Sequence, residues 1–165
     1  ELARTKGPCP AFLLPEANQK GDKNLRRNAT LTTIAPTGSL SILADCSSGI
    51  EPLFSKNFSK TVLGGIKLDF GDKYKEVNED LFATALEINP EWHVKIQCAF
   101  QENIDNAVSK TVNLPNSATV GDIRKLVLLA HSLGAKGITF FRDGVRDQPL
   151  QKGELSECER ETCII

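Results

Sequence analysis

Six consecutive residues, Pro36-Thr37-Gly38-Ser39-Leu40-Ser41, place three hydroxyls and a glycine between a β-prone stretch and the apolar run Ile42-Leu43-Ala44. Side-chain donors and free backbone N–H groups at a helix start converge on one anion, so a phosphate would fit there. The same residues also make an ordinary surface turn with a serine N-cap, and the pattern leaves both open. Just beyond, Ser47-Ser48-Gly49-Ile50-Glu51-Pro52 brings Glu51 close to the loop, either as part of a site or as a solvent-facing carboxylate.

The second candidate is the pair Cys158 and Cys163, five positions apart on a polar tail. Two thiols on a flexible segment form a disulfide, exchange with another disulfide or bind a metal, and mobility favours exchange because attack requires reach. A structural zinc site wants four ligands; His93 and His131 fall in helical patterns and no second close cysteine pair exists, so no metal site is assigned. Two exposed thiols without a role are the bland alternative. His93, at a helix start, and His131, near a helix end where it favours the dipole, read as structural. Cys9, Cys46 and Cys98 read as small, half-buried residues. Arg142-Asp143 either pair with each other or bind a ligand at the C-terminal edge of a strand, and the structural role is favoured.

The elements that must hold these groups follow from periodicity and breakers. Ala29 to Ile34 is rich in β-branched residues and reads as a strand running into the Pro36-Thr37-Gly38 loop. Residues 54–75 suggest a turn or short hairpin around Gly64-Gly65. Asn78 is placed to cap a helix over Glu79 to Ile88, and Asn89-Pro90 ends it and starts another. Trp92, Ile96, Phe100 and Ile104, extended by Ala107 and Val108, mark the expected apolar face of that second helix. Thr111 to Leu114 reads as a short strand, and Thr119 and Asp122 form a capping-box pair before Ile123, Leu126, Val127, Ala130 and Leu133, with Gly134 as the stop. Gly137 to Phe141 reads as a buried strand ended by Arg142-Asp143-Gly144. Strand, helix, strand in that order makes a βαβ unit, hence parallel pairing and an α/β architecture. From Lys152 to Thr162 the residues are mostly charged or small, a mobile tail.

Composition narrows the class. The 165 residues are 40% hydrophobic and 25% charged, and 20 Lys+Arg against 21 Asp+Glu argue against a broad basic surface for nucleic acid or an anionic membrane. No run approaches the roughly 18 apolar residues of a bilayer span, and Glu1 to Arg27 is too polar and Pro-rich for a signal peptide. Five scattered cysteines fit a cytoplasmic protein better than a secreted disulfide framework, and the sequons at Asn28 and Asn57 are expected to be unused. No methionine occurs, so a piece of a longer polypeptide is expected.

In order along the chain, Arg27-Asn28-Ala29-Thr30, Thr33 to Ser39, Cys46 to Pro52, Ser109 to Pro115, Ala118-Thr119-Val120, Lys136 to Gly144 and the terminal Cys-x4-Cys pattern resemble the C-terminal part of the catalytic chain of ribonucleotide reductases. The resemblance is closest to the adenosylcobalamin-dependent class II enzymes. It implies an α/β fold in which residues 1–148 are the C-terminal portion of a ten-stranded α/β barrel and residues 149–165 a mobile redox-active tail. Pro36, Thr37, Gly38, Ser39, Leu40 and Ser41 match the family's substrate-phosphate loop. Cys158 and Cys163 match the tail pair that re-reduces the active-site disulfide and is regenerated by a thioredoxin-like donor.

The resemblance further implies a ribonucleoside di- or triphosphate substrate, thiyl-radical reduction for deoxyribonucleotide synthesis, adenosylcobalamin in the full-length enzyme and association with the remainder of the catalytic chain, with a homodimer compatible. The radical cysteine is expected outside these residues. Class I enzymes relay the radical through paired tyrosines near the last barrel strands; here the matching positions are Phe140 and Phe141, and the lone tyrosine is Tyr74, which favours cobalamin. The competing reading is a stand-alone nucleotide-binding regulatory module without redox chemistry.

Overall fold

Thr119 and Asp122 begin the most regular part of the chain. In the computed structural model, which describes residues 1–14, 26–54, 58–62, 66–69, 77–78, 81–145 and 150–152, the Thr119 side chain accepts from the Asp122 N–H and the Asp122 carboxylate accepts from the Thr119 N–H. The Thr119 hydroxyl and its N–H hold the Asp122 carboxyl below the usual carboxylate range. Residues Leu2–Lys6 form α1, Pro10–Leu13 a 3-10 turn, Gly38–Leu43 α2, Pro90–Gln101 α3 and Val120–Ser132 α4. The strands are β1 (Phe58–Val62), β2 (Ile66–Asp69), β3 (Thr111–Leu114), β4 (Thr139–Arg142) and β5 (Leu150–Lys152).

Strand β3, helix α4 and strand β4 realise the expected βαβ unit. β3 and β4 pair in parallel, with Val112 opposite Phe140 and Leu114 opposite Arg142. Gly134 follows α4 with φ 78°, a left-handed conformation suited to glycine, and lets the chain turn back toward β4. Side chains alternate along a strand, so Val112 and Leu114 share one face of β3. On that face they meet Val94 and Cys98 of α3 and Leu126 and Ala130 of α4, forming the core. Strand β4 is only partly covered: Phe140 and Phe141 are half-buried and Thr139 is exposed, where full burial was expected.

A second sheet has the order β2-β1-β5, antiparallel throughout. The pairing of Val62 with Ile66 across Gly64-Gly65 agrees with the expected hairpin. Leu150–Lys152 pair with Phe58–Lys60, tying the start of the segment after Pro149 to this hairpin.

Three further expectations differ from the structure. Within residues 81–88 the backbone has a 3-10 conformation at Leu81 and turns at 85–87 in place of an α-helix; Glu79 and Asp80 lie outside the described residues. Ala29 to Ile34 forms no strand: it runs beside residues 105–109, joined by one parallel bridge from Ile34 to Val108 and by bonds such as Asn106 N to the Thr32 carbonyl. The third is the orientation of α3. Trp92, Ile96 and Phe100 are 57%, 42% and 45% exposed, whereas His93, Val94, Gln97, Cys98 and Gln101 are buried. The helix also stops at Gln101, so Ile104 and Val108 belong to the irregular segment that follows.

The inward face of α3 is half polar because its side chains serve that segment. Gln97 Nε2 donates to the carbonyls of Val108 (2.9 Å) and Gly137 (2.8 Å), and Gln101 Nε2 donates to those of Ile104 (2.9 Å) and Asn106 (2.8 Å). The amide nitrogens thereby satisfy backbone carbonyls that no helix or sheet would engage, while the Gln97 and Gln101 amide oxygens are buried without a partner among the described residues.

Candidate functional site

Thr37 adopts a left-handed conformation, φ 50° and ψ 29°, that turns the chain from the Ala35-Pro36 stretch into α2. The first helical bond runs from Ser41 N to Thr37 O at 2.8 Å, so the N–H groups of Gly38, Ser39 and Leu40 precede it and are left for other acceptors. Ser39 and Leu40 are exposed, Thr37 and Gly38 half-buried, and Ser41 buried. Ser41 is therefore not an outward donor: its Oγ donates to the carbonyl of Gly38 at 2.9 Å and stiffens the turn. That leaves the exposed Ser39 hydroxyl and the three N–H groups before the first helical bond as groups that α2 does not use.

The loop is held from behind by the next segment. The Ser48 hydroxyl donates to the carbonyl of Pro36, and Cys46 N donates to the carbonyl of Ser41 at 3.0 Å, so residues 46–48 grip the loop near both ends. Gly49, with φ 55°, packs against residues 34–35; a Cβ there would sit 3.3 Å from the Ala35 carbonyl oxygen. Glu51 N donates to the carbonyl of Ser48 at 3.0 Å and closes this turn.

The Glu51 carboxylate then anchors the turn to β3. Its Oε1 accepts from Thr111 N at 2.5 Å and its Oε2 from Lys110 Nζ at 2.6 Å. Lys110 shares the inner face of β3 with Val112 and Leu114 and is only 3% exposed. Its ammonium also donates to the Thr111 carbonyl at 2.6 Å and to His93 Nδ1 at 2.9 Å. Those three acceptors use all the donors an ammonium has.

His93 is the neutral end of this group. Its Nε2 lies 3.0 Å from the carbonyl of Ala85, which can only accept, so Nε2 carries the proton and Nδ1 accepts from Lys110. Burial first, and the Lys110 charge second, push the His93 pKa below its ordinary value, in keeping with this tautomer. Burial also pushes the Lys110 pKa down, opposed by the bond to Glu51.

A cavity of about 210 Å³ opens between loop and anchor, lined by Pro36, Gly38, Ser48, Glu51, Ser109 and Thr111. A second one, of about 350 Å³, lies beside it between residues 33–36 and 107–110 and reaches Gln97 and Ile138. Farther along, Asp105 ties the approach to the loop: its Oδ2 accepts from Leu31 N (2.7 Å), its carboxylate pairs with Arg26 (3.2 Å), and its own N–H donates to Thr32 Oγ1 (2.9 Å). The Leu31 N–H and then Arg26 hold the Asp105 carboxyl below the usual carboxylate range.

The other sequence candidates are distributed as follows. Cys158 and Cys163 lie outside the described residues. Cys98 is buried, Cys9 half-buried and Cys46 exposed, so only Cys9 has the burial expected of all three; burial pushes the Cys98 thiol up. His131 is exposed in the last turn of α4. Arg142 donates to the carbonyl of Ala118 at 3.4 Å, and Asp143 N donates to the carbonyl of Leu114 at 2.9 Å, structural uses at the end of β4. Lys110 is the member of the site to which sequence reasoning gave no role; the one signal is a lysine in register with the inward Val112 and Leu114. Glu51 was legible as a candidate and is now placed beside the loop. Among the described residues no group of three His, Cys, Asp or Glu is arranged to hold a metal ion, and no helix is long and apolar enough to cross a membrane.

A family model described as the barrel domain of ribonucleotide reductase matches residues 13–71 and 71–141. A vitamin B12-dependent ribonucleoside-diphosphate reductase of Thermoplasma acidophilum is 40% identical over 172 residues, covering 86% of this chain and 22% of the relative. The Mycobacterium tuberculosis H37Rv protein of the same name is 34% identical over 176 residues, covering 88% and 24%. This chain thus spans about a quarter of the length of these curated relatives. The class Id ribonucleotide reductase alpha subunit of Actinobacillus ureae superposes with a TM-score of 0.57 over 87% of this chain and 30% of its own, at 23% identity, a likeness of fold.

Proposed function

The chain belongs to the ribonucleotide reductase barrel-domain family, and from that premise we propose that it supplies the C-terminal part of the catalytic barrel of a vitamin B12-dependent ribonucleotide reductase. The observation that carries this is the 40% identity, over most of this chain, to a relative named as such an enzyme. The full polypeptide reduces ribonucleoside di- or triphosphates to deoxyribonucleotides by thiyl-radical chemistry, and residues 1–148 form the barrel segment within it. Loop 36–41 binds the substrate phosphate, with Thr37 and Ser39 donating from hydroxyls and Gly38, Ser39 and Leu40 from N–H groups. Supporting this role, Ser39 and Leu40 are exposed and Gly38 lines a cavity, while Ser41 and Ser48 fix the loop from within.

Adenosylcobalamin, supplying the radical-initiating cobalt–carbon bond when present, is the cofactor to which the relatives' names point. The corrin ring carries the cobalt itself, and among the described residues His93, with both ring nitrogens engaged, is not assigned as a ligand to it. Phe140 and Phe141, which have no phenol to relay a radical, occupy β4, and Phe141 packs edge-on against Phe54 at 6.1 Å. The absence of tyrosine from this strand favours a cofactor over a radical-relaying partner subunit.

In the tail, residues 149–165, Cys158 and Cys163 act as a dithiol that reduces the active-site disulfide. The pair becomes a disulfide in turn and is reduced by a thioredoxin-like donor. The test is ribonucleotide reduction by the full-length enzyme with adenosylcobalamin. Activity is expected to depend on the cofactor, and Cys158→Ser with Cys163→Ser to abolish multiple turnovers driven by thioredoxin while sparing those driven by a small dithiol. No reduction with the cofactor supplied would refute the assignment, and equal loss with both reductants would refute the shuttle.

A further inference from the structure

We infer that Lys110 is a positioning residue for the phosphate loop, acting through Glu51 and Ser48, an inference that rests on loop 36–41 binding substrate phosphate. The connection is continuous in the structure. Lys110 Nζ holds Glu51 Oε2 at 2.6 Å, Glu51 N holds the Ser48 carbonyl at 3.0 Å, and the Ser48 hydroxyl holds the Pro36 carbonyl immediately before the left-handed Thr37. The first link joins residues 59 apart, the second closes the 48–51 turn and the third returns to the loop; Lys110, where the series begins, is itself buried immediately before β3.

Charge gives Lys110 a second effect on the same site. Glu51 lines the cavity that Gly38 and Ser48 also line, so an uncompensated carboxylate there would repel an arriving phosphate. The buried ammonium at 2.6 Å neutralises it without occupying the cavity itself. Among the described residues the charged group paired with Lys110 is Glu51, from the 48–52 turn, and the neutral imidazole of His93 from α3 accepts another of its protons. A lysine fully used in this way touches no substrate; it sets the position of the loop and the charge of its neighbour.

Geometry and charge therefore predict a loss that depends on the phosphate. In the full-length reductase, affinity for cytidine diphosphate and for cytidine would be measured by competition for Lys110→Met, Ser48→Ala and Ser39→Ala. Lys110→Met and Ser48→Ala are each expected to weaken cytidine diphosphate on the order of tenfold, the cost of a misplaced hydrogen bond to a charged group, and to leave cytidine unchanged. Equal weakening of both ligands would show general disruption and overturn the inference. If Ser39→Ala weakens the diphosphate while the other two do not, the loop binds phosphate and the positioning role is wrong. If Ser39→Ala has no effect, the loop assignment itself fails and this inference with it. Should Lys110→Met not fold, Ser48→Ala, which removes one hydroxyl from a partly exposed turn, decides alone.

Discussion

Residues 90–142 are held by apolar burial around Val94, Cys98, Val112, Leu114, Leu126 and Ala130, whereas residues 26–54 contain one buried residue, Ser41, and hang on hydrogen bonds to the first block. In the block, α3, β3, α4 and β4 satisfy most of their own backbone groups, and side chains are free to pack. In the segment the backbone is mostly irregular, and side chains and the block supply its partners: Leu31 N donates to the Asp105 carboxylate, and the Ile34 carbonyl accepts from Ser109 N and the Pro36 carbonyl from the Ser48 hydroxyl. The difference teaches where a loop that must meet a ligand can be built. Its outward N–H groups stay available because side chains, rather than a sheet, take up the bonding of the backbone around them.

Breaking the block should affect the whole. Leu114, 1% exposed at the C-terminal end of β3, belongs to the core cluster with residues of both helices, and Leu114→Ala is expected to destabilise the fold by about 2–5 kcal/mol. A shift in the urea unfolding transition of the protein would measure this; a negligible shift would mean that the core described here is not what holds the block. Breaking the segment should act locally. Asp105→Ala removes the carboxylate that receives Leu31 N and Arg26, and faster amide exchange is expected at residues 29–34 with β3 and α4 unchanged. The same loss follows at low pH: the folded Asp105 has a lowered pKa, so its contribution is full above the ordinary carboxylate range and disappears as pH falls through the lowered value. Uniform exchange across both regions would erase the distinction between them.

The same contrast governs what could be read from the sequence. The βαβ unit was legible because a capping box, a Gly stop and two β-prone runs are local signals, and Thr119, Asp122 and Gly134 each do what their types suggest. The orientation of α3 was not. Trp92, Ile96 and Phe100 make the stronger apolar stripe, but His93, Gln97 and Gln101 are the residues that can bond to the irregular carbonyls beneath, and that need is invisible until residues 104–108 are placed. The hydroxyl-rich loop was legible as a cluster, and its ordered companions made the family recognisable. Ser41's inward turn was not, since a serine four residues into such a run bonds outward or backward with equal ease. Lys110 stayed hidden for a similar reason: its partners Glu51 and His93 are 59 and 17 residues away, and no periodicity links them.

The most direct test of the phosphate loop is the affinity of the full-length reductase for cytidine diphosphate, compared with that of its Ser39→Ala variant by titration. Ser39 is exposed at the second position of α2 and its hydroxyl makes no bond among the described residues, so its removal should report on the ligand. A loss of about 1–3 kcal/mol is expected, as for a hydrogen bond to a charged group. Unchanged affinity would contradict the assignment of residues 36–41 as the phosphate site.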